Sequence, residues 1–248
     1  MTSTVLLTAT VRPNTELFVA QADHETRLAQ YRTAIARWAD LVRSSDVDLV
    51  VVETSGAEPT SLLSDVPSPL RSYVRVISYE AADTDNVRGK GPFEVEAIRR
   101  GLAAISQESG DERTVYKGTG RLVLTNAGAL VQDLGSRSVR IRMTADRSFA
   151  DTRFLGGTVA TWHRVLLDDT DQIDELAGIY LEHVVAGSVA RAAAMRTINL
   201  ERLPQRPVFD GQSGSTGETY TSQYLRTPER LRRLGEDLLA SIAARKQV

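Results

Sequence analysis

The sequence contains no cysteine in its 248 residues, which excludes disulfides, thiolate metal sites and a thiol nucleophile, and leaves nothing to suggest secretion. No run approaches the roughly 20 apolar residues that span a bilayer. The first apolar run, Val5 to Leu7, is too short for a signal peptide and has no basic lead. Neither sign of charge is in excess: 30 Lys and Arg stand against 32 Asp and Glu, a formal charge of −2. That removes the case for a whole-surface nucleic-acid binder and makes any anion site local. The three histidines, His24, His163 and His183, form neither HExxH nor a close triplet, which argues against a zinc hydrolase. A cytoplasmic protein is expected.

What is present, 42% hydrophobic and 25% charged residues, is enough to bury a core, and the length fits one large α/β domain. Thr4 to Val11 reads as a buried first strand closed by Pro13-Asn14. Leu28, Tyr31, Ile35, Trp38 and Val42 then share one helical face. Val47 to Val52 is a second strand ending in the polar Glu53-Thr54-Ser55-Gly56, and strand ends of this kind bear ligands in open α/β sheets. A third strand spans Tyr73 to Ser78, and a helix opened by Pro92 places Val95, Ile98, Leu102 and Ile105 on one face. Short strands are expected at Thr114 to Lys117, Arg121 to Leu124 and Ser138 to Met143. Further on, the pattern predicts a turn at Gly156-Gly157, a long helix carrying Ile173, Leu176, Tyr180 and Val184, and a final helix with Leu231, Leu234, Leu238 and Ile242 at core spacing.

Several short motifs carry possible chemistry. Gly89-Lys90-Gly91 precedes a helix, where backbone amides and an ammonium together suit phosphate oxygens, although neither the Walker spacing nor GxGxxG is met. Lys117-Gly118-Thr119-Gly120-Arg121 brings two cations around glycines that allow close approach to a ligand. Asp83-Thr84-Asp85 and Asp169-Thr170-Asp171 have the form of two-carboxylate cation sites, and equally of acidic turns. Ser213 departs from the GxSxG elbow of serine hydrolases. Glu182 stands beside Ile179 and Val184, a setting that suits base work, while the alternative is a helix-surface glutamate. Arg226, Arg230, Arg232, Arg233, Arg245 and Lys246 surround an apolar stripe, the pattern of an outer helix or of an interfacial one.

These pieces in order resemble a family of bacterial polysaccharide glycosyltransferase-like proteins. The resemblance is carried by Leu6 to Pro13, Arg27 to Tyr31, Val52 to Gly56, Gly89-Lys90-Gly91 with Glu94, Lys117 to Arg121 with Asn126, Asp151 to Phe154, Tyr180 to His183 and Gly211 to Gly217. It implies a single Rossmann-like domain of GT-A type, a mixed and mostly parallel sheet flanked by helices, with a nucleotide-binding half over 1–130 and an acceptor-side half with C-terminal helices over 131–248. It also implies transfer of a sugar from a nucleotide-sugar donor to a glycan or lipid-linked acceptor, with possible peripheral contact at the inner face of the membrane.

In that family frame Thr8, Thr10, Arg12, Glu53, Thr54 and Ser55 surround the base and ribose, and Lys90 with Gly91, Lys117 and Arg121 face the phosphates. Glu182 is the implied base for an inverting attack and Asp151 the second candidate. Arg153 orients Asp151 or holds the acceptor, and His183 holds the acceptor. The Asp-x-Asp of such enzymes is expected near the fourth strand, where this chain has Lys117 to Arg121, so a metal-independent mechanism is implied. Mn²⁺ or Mg²⁺ on Asp83 and Asp85 is the alternative. A sugar nucleotidylyltransferase, disfavoured by the absence of glycine from Thr4 to Pro13, and a non-catalytic nucleotide-sugar or glycan binder are the competing functions.

Overall fold

The computed structural model describes residues 3–13, 23–43, 45, 47–82, 88–212, 219–220, 235 and 238. The chain alternates β1 (Ser3–Ala9), α1 (His24–Arg43), β2 (Val47–Glu53), a short α2 (Pro59–Leu62) with a 3₁₀ turn Ser68–Tyr73, β3 (Val74–Ser78), α3 (Gly91–Ser109) and β4 (Thr114–Thr119). These four strands pair in parallel in the order β3-β2-β1-β4. Beyond them come β5 (Leu122–Leu124), α4 (Ala127–Leu130), β6 (Ser138–Arg140), β7 (Phe154–Thr158), α5 (Val159–Thr161) with a π-helical turn Trp162–Leu166, α6 (Leu181–Ala194), β8 (Asn199–Glu201), β9 (Phe209–Gln212) and β10 (Thr219–Tyr220).

The main sheet has seven strands in the order β3-β2-β1-β4-β7-β6-β8, with β7 antiparallel to both neighbours. This is the mixed, mostly parallel Rossmann-like α/β architecture expected of the chain, and it runs as one sheet from the first strand to β8. A second sheet, β10-β9-β5, has three strands.

Why the strands sit here follows from their two-sided apolar character, since a central parallel strand is covered on both faces. In β1, Val5 and Leu7 enter the core under α1 while Leu6 enters the core under α3. The face of α1 read from the sequence is buried at Tyr31, Ile35, Trp38 and Val42, with Leu28 half-buried, and all four predicted positions of α3 are buried. The indole of Trp38 donates to the Leu122 carbonyl at 2.9 Å, and that of Trp162, on the opposite face, donates to the Val115 carbonyl at 3.0 Å. Among the described residues no helix is long and apolar enough to cross a membrane.

Two sequence expectations are corrected. Gly156-Gly157 lies within β7, not in a turn; Gly156 faces Tyr116 of β4, and a Cβ there would lie 2.5 Å from the Tyr116 ring. The glycine is needed because that ring stacks on Phe154 at 5.2 Å across the same pair of strands. The long helix over Ile173 to Val184 begins only at Leu181; residues 173–180 are a turn closed by the Asp174–Ile179 bridge, Gly178 has φ +79°, and Leu176 is exposed. The strand after Gly120 leaves the main sheet, because β5 pairs with β9. The acidic turn at Asp169 is a 3₁₀ turn whose Asp169 side chain meets Arg191 and whose Thr170 hydroxyl accepts from Arg99 at 2.9 Å. The last predicted helix lies almost wholly outside the described residues, and of its apolar stripe only Leu238 is described, helical and exposed. Asp83, Asp85 and Ser213 also lie outside them, as do the basic residues of the C-terminal segment.

Candidate functional site

The strand order runs 3-2-1 and then jumps to 4, so the order reverses between β1 and β4. Ligands of open α/β sheets bind outside the carboxyl ends of the strands at such a reversal. Here the two strand ends are drawn together by Gly120, whose amide donates to the Thr8 carbonyl at 3.0 Å and whose missing Cβ would lie 2.4 Å from that oxygen. Any side chain at this position would prise the ends apart.

On the α1 side the loop after β1 is fixed by its neighbours. The Thr10 amide donates to Tyr31 Oη at 3.0 Å, Arg27 Nε donates to the Thr10 carbonyl at 2.8 Å, and the Thr10 and Thr54 hydroxyls lie 2.6 Å apart. The Arg12 amide donates to Ser55 Oγ at 2.9 Å. Glu53 is fully buried and turned inward. Its carboxylate accepts from the amides of Val11 and Ser55 at 3.0 Å and of Ala57 at 2.8 Å, and from the Ser55 hydroxyl. Glu53 therefore shapes the loops that carry Thr10, Arg12 and Ser55.

Arg121 closes this side. It is only 5% exposed, yet its contacts are neutral: Nη1 donates to Gln30 Oε1 at 2.9 Å and its guanidinium carbon sits 5.9 Å from the Tyr31 ring centre. Gln30 is held in turn by the Gln212 side chain at 2.6 Å. Burial lowers the guanidinium's pKa from its ordinary value; Tyr31 opposes the shift, and the nearby charge of Arg27 adds to it. Among the described residues no carboxylate meets Arg121.

The α3 side is different in kind. The amides that open α3 are met by the chain itself, since Lys90 N–H donates to Glu175 Oε2 at 3.0 Å and Glu175 is 3% exposed. Burial above all raises the Glu175 carboxyl's pKa; hydrogen bonds from the Lys90 and Gly91 amides and the Lys90 charge oppose it, and Glu94 adds to it. Lys117 is 1% exposed, ion-paired to Glu94, and donates to the Thr152 carbonyl at 2.8 Å. Burial alone would raise the Glu94 carboxyl, but the Lys117 charge and hydrogen bond, with Lys90 beyond, hold it below its usual range. The Thr152 hydroxyl donates to Glu182 Oε1 at 2.8 Å, and Glu182 is half-buried at the start of α6.

The neighbouring carboxylate, Asp151, is clasped by Arg153 through Nε at 2.8 Å and Nη2 at 2.7 Å. Burial opposes its ionisation, but the hydrogen bonds and charge of Arg153, aided by Arg142, keep the carboxyl below the ordinary value. Arg153 lies against the rings of Phe209 and Tyr220, 4.8 and 5.3 Å from their centres. His183 is exposed, accepts from the Tyr180 amide at 3.2 Å through Nδ1, and meets the Phe149 and Tyr180 rings at 5.5 and 5.6 Å.

The residues expected of a site thus gather at one edge of the sheet, but not in one way. Glu53 and Lys117 face inward, Lys90 and Gly91 meet Glu175, and Arg121 meets no carboxylate among the described residues. Arg27, Gln30, Tyr31, Thr152 and Glu175 are given no site role by the sequence, although the segments Arg27 to Tyr31 and Asp151 to Phe154 carry part of the family resemblance. Two signals were available: Arg27 stands at core spacing ahead of Tyr31 and Trp38 on α1, and Lys117 interrupts a buried strand.

No family model and no curated protein matches the chain. Among solved structures it is similar to a protein from Desulfovibrio desulfuricans G20 provisionally named a nucleotide-diphospho-sugar transferase, with 11% identity over 81% of this chain and 79% of that one and a TM-score of 0.48. It is also similar to the galactosyltransferase LgtC in complex with donor and acceptor sugar analogs, with 10% identity, 65% of this chain, 59% of that one and a TM-score of 0.40. An active-site mutant of LgtC matches at 8% identity with the same coverage and TM-score. At this level of likeness no residue role is carried across.

Proposed function

We propose that this chain is an inverting glycosyltransferase that moves a sugar from a nucleotide-diphosphate donor to a hydroxyl of a glycan or lipid-linked acceptor in surface-polysaccharide assembly, without a divalent cation. One observation carries the anionic part of the reading: Arg121, almost fully buried where the strand order reverses, meets no carboxylate among the described residues and has a second cation, Arg27, nearby. A buried cation without an opposite charge is costly, and a ligand phosphate at this crevice would supply that charge. Thr8, Thr10, Arg12, Thr54 and Ser55 line the ends of β1 and β2 beside it, suited to a base and ribose. The motif resemblance supplies the reaction class.

In this reading the acceptor oxygen attacks the anomeric carbon. The bond from that carbon to the phosphate oxygen breaks, and its electron pair leaves with the nucleoside diphosphate. Arg121 and Lys90 answer the charge that grows there. Glu182 accepts the hydroxyl proton. It is preferred over Asp151, whose two oxygens are both bound by Arg153. Arg153 and His183 border the acceptor side.

Calorimetry with UDP, GDP, CMP and dTDP, each with and without Mn²⁺ or Mg²⁺, tests the proposal. One nucleotide is expected to bind equally well with or without metal, and Arg121→Ala is expected to weaken it on the order of 10- to 100-fold, the worth of a charged hydrogen bond. Metal-dependent binding moves the diphosphate to an acidic pair such as Asp83 and Asp85. Failure of all four to bind rejects the donor site.

A further inference from the structure

Residues 150–152 touch three parts of the site at once. The Ala150 amide donates to the Glu182 carbonyl at 3.1 Å, the Asp151 amide to the Arg142 carbonyl at 2.8 Å, and Thr152 uses both its carbonyl and its hydroxyl. Thr152 is 4% exposed. Its hydroxyl has one proton and a carboxylate can only accept, so the direction of the 2.8 Å bond to Glu182 Oε1 is fixed by chemistry. Among the described residues this is the one hydrogen bond to the Glu182 carboxylate, and it engages Oε1 alone.

The threonine is itself held. Its carbonyl takes the Lys117 ammonium, and that ammonium, 1% exposed, is neutralised by Glu94. An ammonium so placed, with its charge already answered inside the protein, is poorly suited to a donor phosphate and well suited to fixing a backbone.

We infer that Thr152 is the positioning residue of Glu182, and that Lys117 and Glu94 act on the reaction through Thr152, not by touching the donor. This rests on the reading of Glu182 as the base. It reassigns Lys117 from the phosphates to the support of the carboxylate.

The experiment compares Thr152→Val, which keeps the shape and the carbonyl but loses the hydroxyl, with Thr152→Ser, which keeps the hydroxyl. Nucleotide release is measured from a panel of UDP-, GDP-, CMP- and dTDP-linked sugars, and nucleotide affinity by calorimetry. A misplaced catalytic group costs on the order of 100-fold, so kcat should fall about 10- to 100-fold in Thr152→Val and stay within about threefold in Thr152→Ser. The donor KM and nucleotide Kd should stay within about twofold in both. Lys117→Met alone strands Glu94, so the double variant Lys117→Met with Glu94→Leu is used; it should lose kcat and keep its nucleotide Kd. A Kd weakened about tenfold in that double variant places Lys117 on the donor and overturns the inference. Turnover by Thr152→Val equal to wild type overturns it as well, and leaves the transfer reading intact. A wild type that turns over none of these donors rejects the transfer reading and any catalytic role for this contact with it.

Discussion

The two sides of the sheet's carboxyl edge handle the same kind of residue in opposite ways. Under α3, Lys117 is paired with Glu94 and the helix-start amides donate to Glu175, so the buried cation finds its counterpart within the chain. Under α1, Arg121 is also buried, but among the described residues it meets Gln30 and the Tyr31 ring, with the like charge of Arg27 nearby, and no carboxylate. A compensated side keeps its shape without a ligand. An uncompensated one is where an incoming anion gains most, since it neutralises a charge that the fold has already removed from water.

The sharpest way to break this comparison is to delete each cation in turn. Lys117→Met leaves the partly buried Glu94 carboxylate without its cation and should cost about 1 to 3 kcal/mol of unfolding free energy, the usual penalty for removing one partner of a charged hydrogen bond. Adding Glu94→Leu should recover more than half of it in a urea titration. Arg121→Met should leave stability within about 1 kcal/mol, because no opposite charge is stranded, while nucleotide binding falls on the order of 10- to 100-fold. Equal losses of stability from the two single variants would dissolve the distinction.

A pH series sharpens it further. Glu94 and Asp151 titrate below their ordinary 4.5 and 3.8 in the folded chain, so the stability they contribute is full above those values and is lost as pH falls through their folded pKa values. Glu175 has the opposite sign. Its folded pKa lies above 4.5, so the folded state keeps this proton longer than the unfolded chain does, and stability falls as pH rises through that window. Glu175→Gln keeps an acceptor for the Lys90 amide, and its Tm should change less than that of the wild type between about pH 4.5 and neutrality. A steeper profile in the variant would reverse the assignment. The smallest effect is expected at the exposed end of α6, where His183→Ala removes a capping acceptor from the Tyr180 amide and should cost about 1 kcal/mol or less, read from the midpoint of a thermal melt.

Legibility in the sequence followed the range of the interaction. The apolar runs of β1 and β2 and the periodic faces of α1 and α3 are local signals, and each was read within a few residues of its limits. Gly156 was misread because two adjacent glycines look like a turn unless the Tyr116 ring opposite is known, and that ring arrives from another strand. Ile173 to Tyr180 kept a helical spacing of apolar residues, but Gly178 and the Asp174–Ile179 bridge fold it back. The site divides in the same way. Lys90, Lys117 and Arg121 look alike as basic residues beside glycine, and only the elements that pack against them, bringing Glu175, Glu94 and Gln30, tell them apart.

The two tryptophans sit on opposite faces of the sheet, Trp38 on α1 with its indole on the Leu122 carbonyl and Trp162 in the core that α3 covers, with its indole on the Val115 carbonyl. The protein therefore carries one optical reporter for each face. With Trp162→Phe the remaining emission comes from the face that holds Arg121 and Gln30, and with Trp38→Phe from the face that holds Lys117 and Glu94. A nucleotide that settles against Arg121 should move the first spectrum and leave the second where it was.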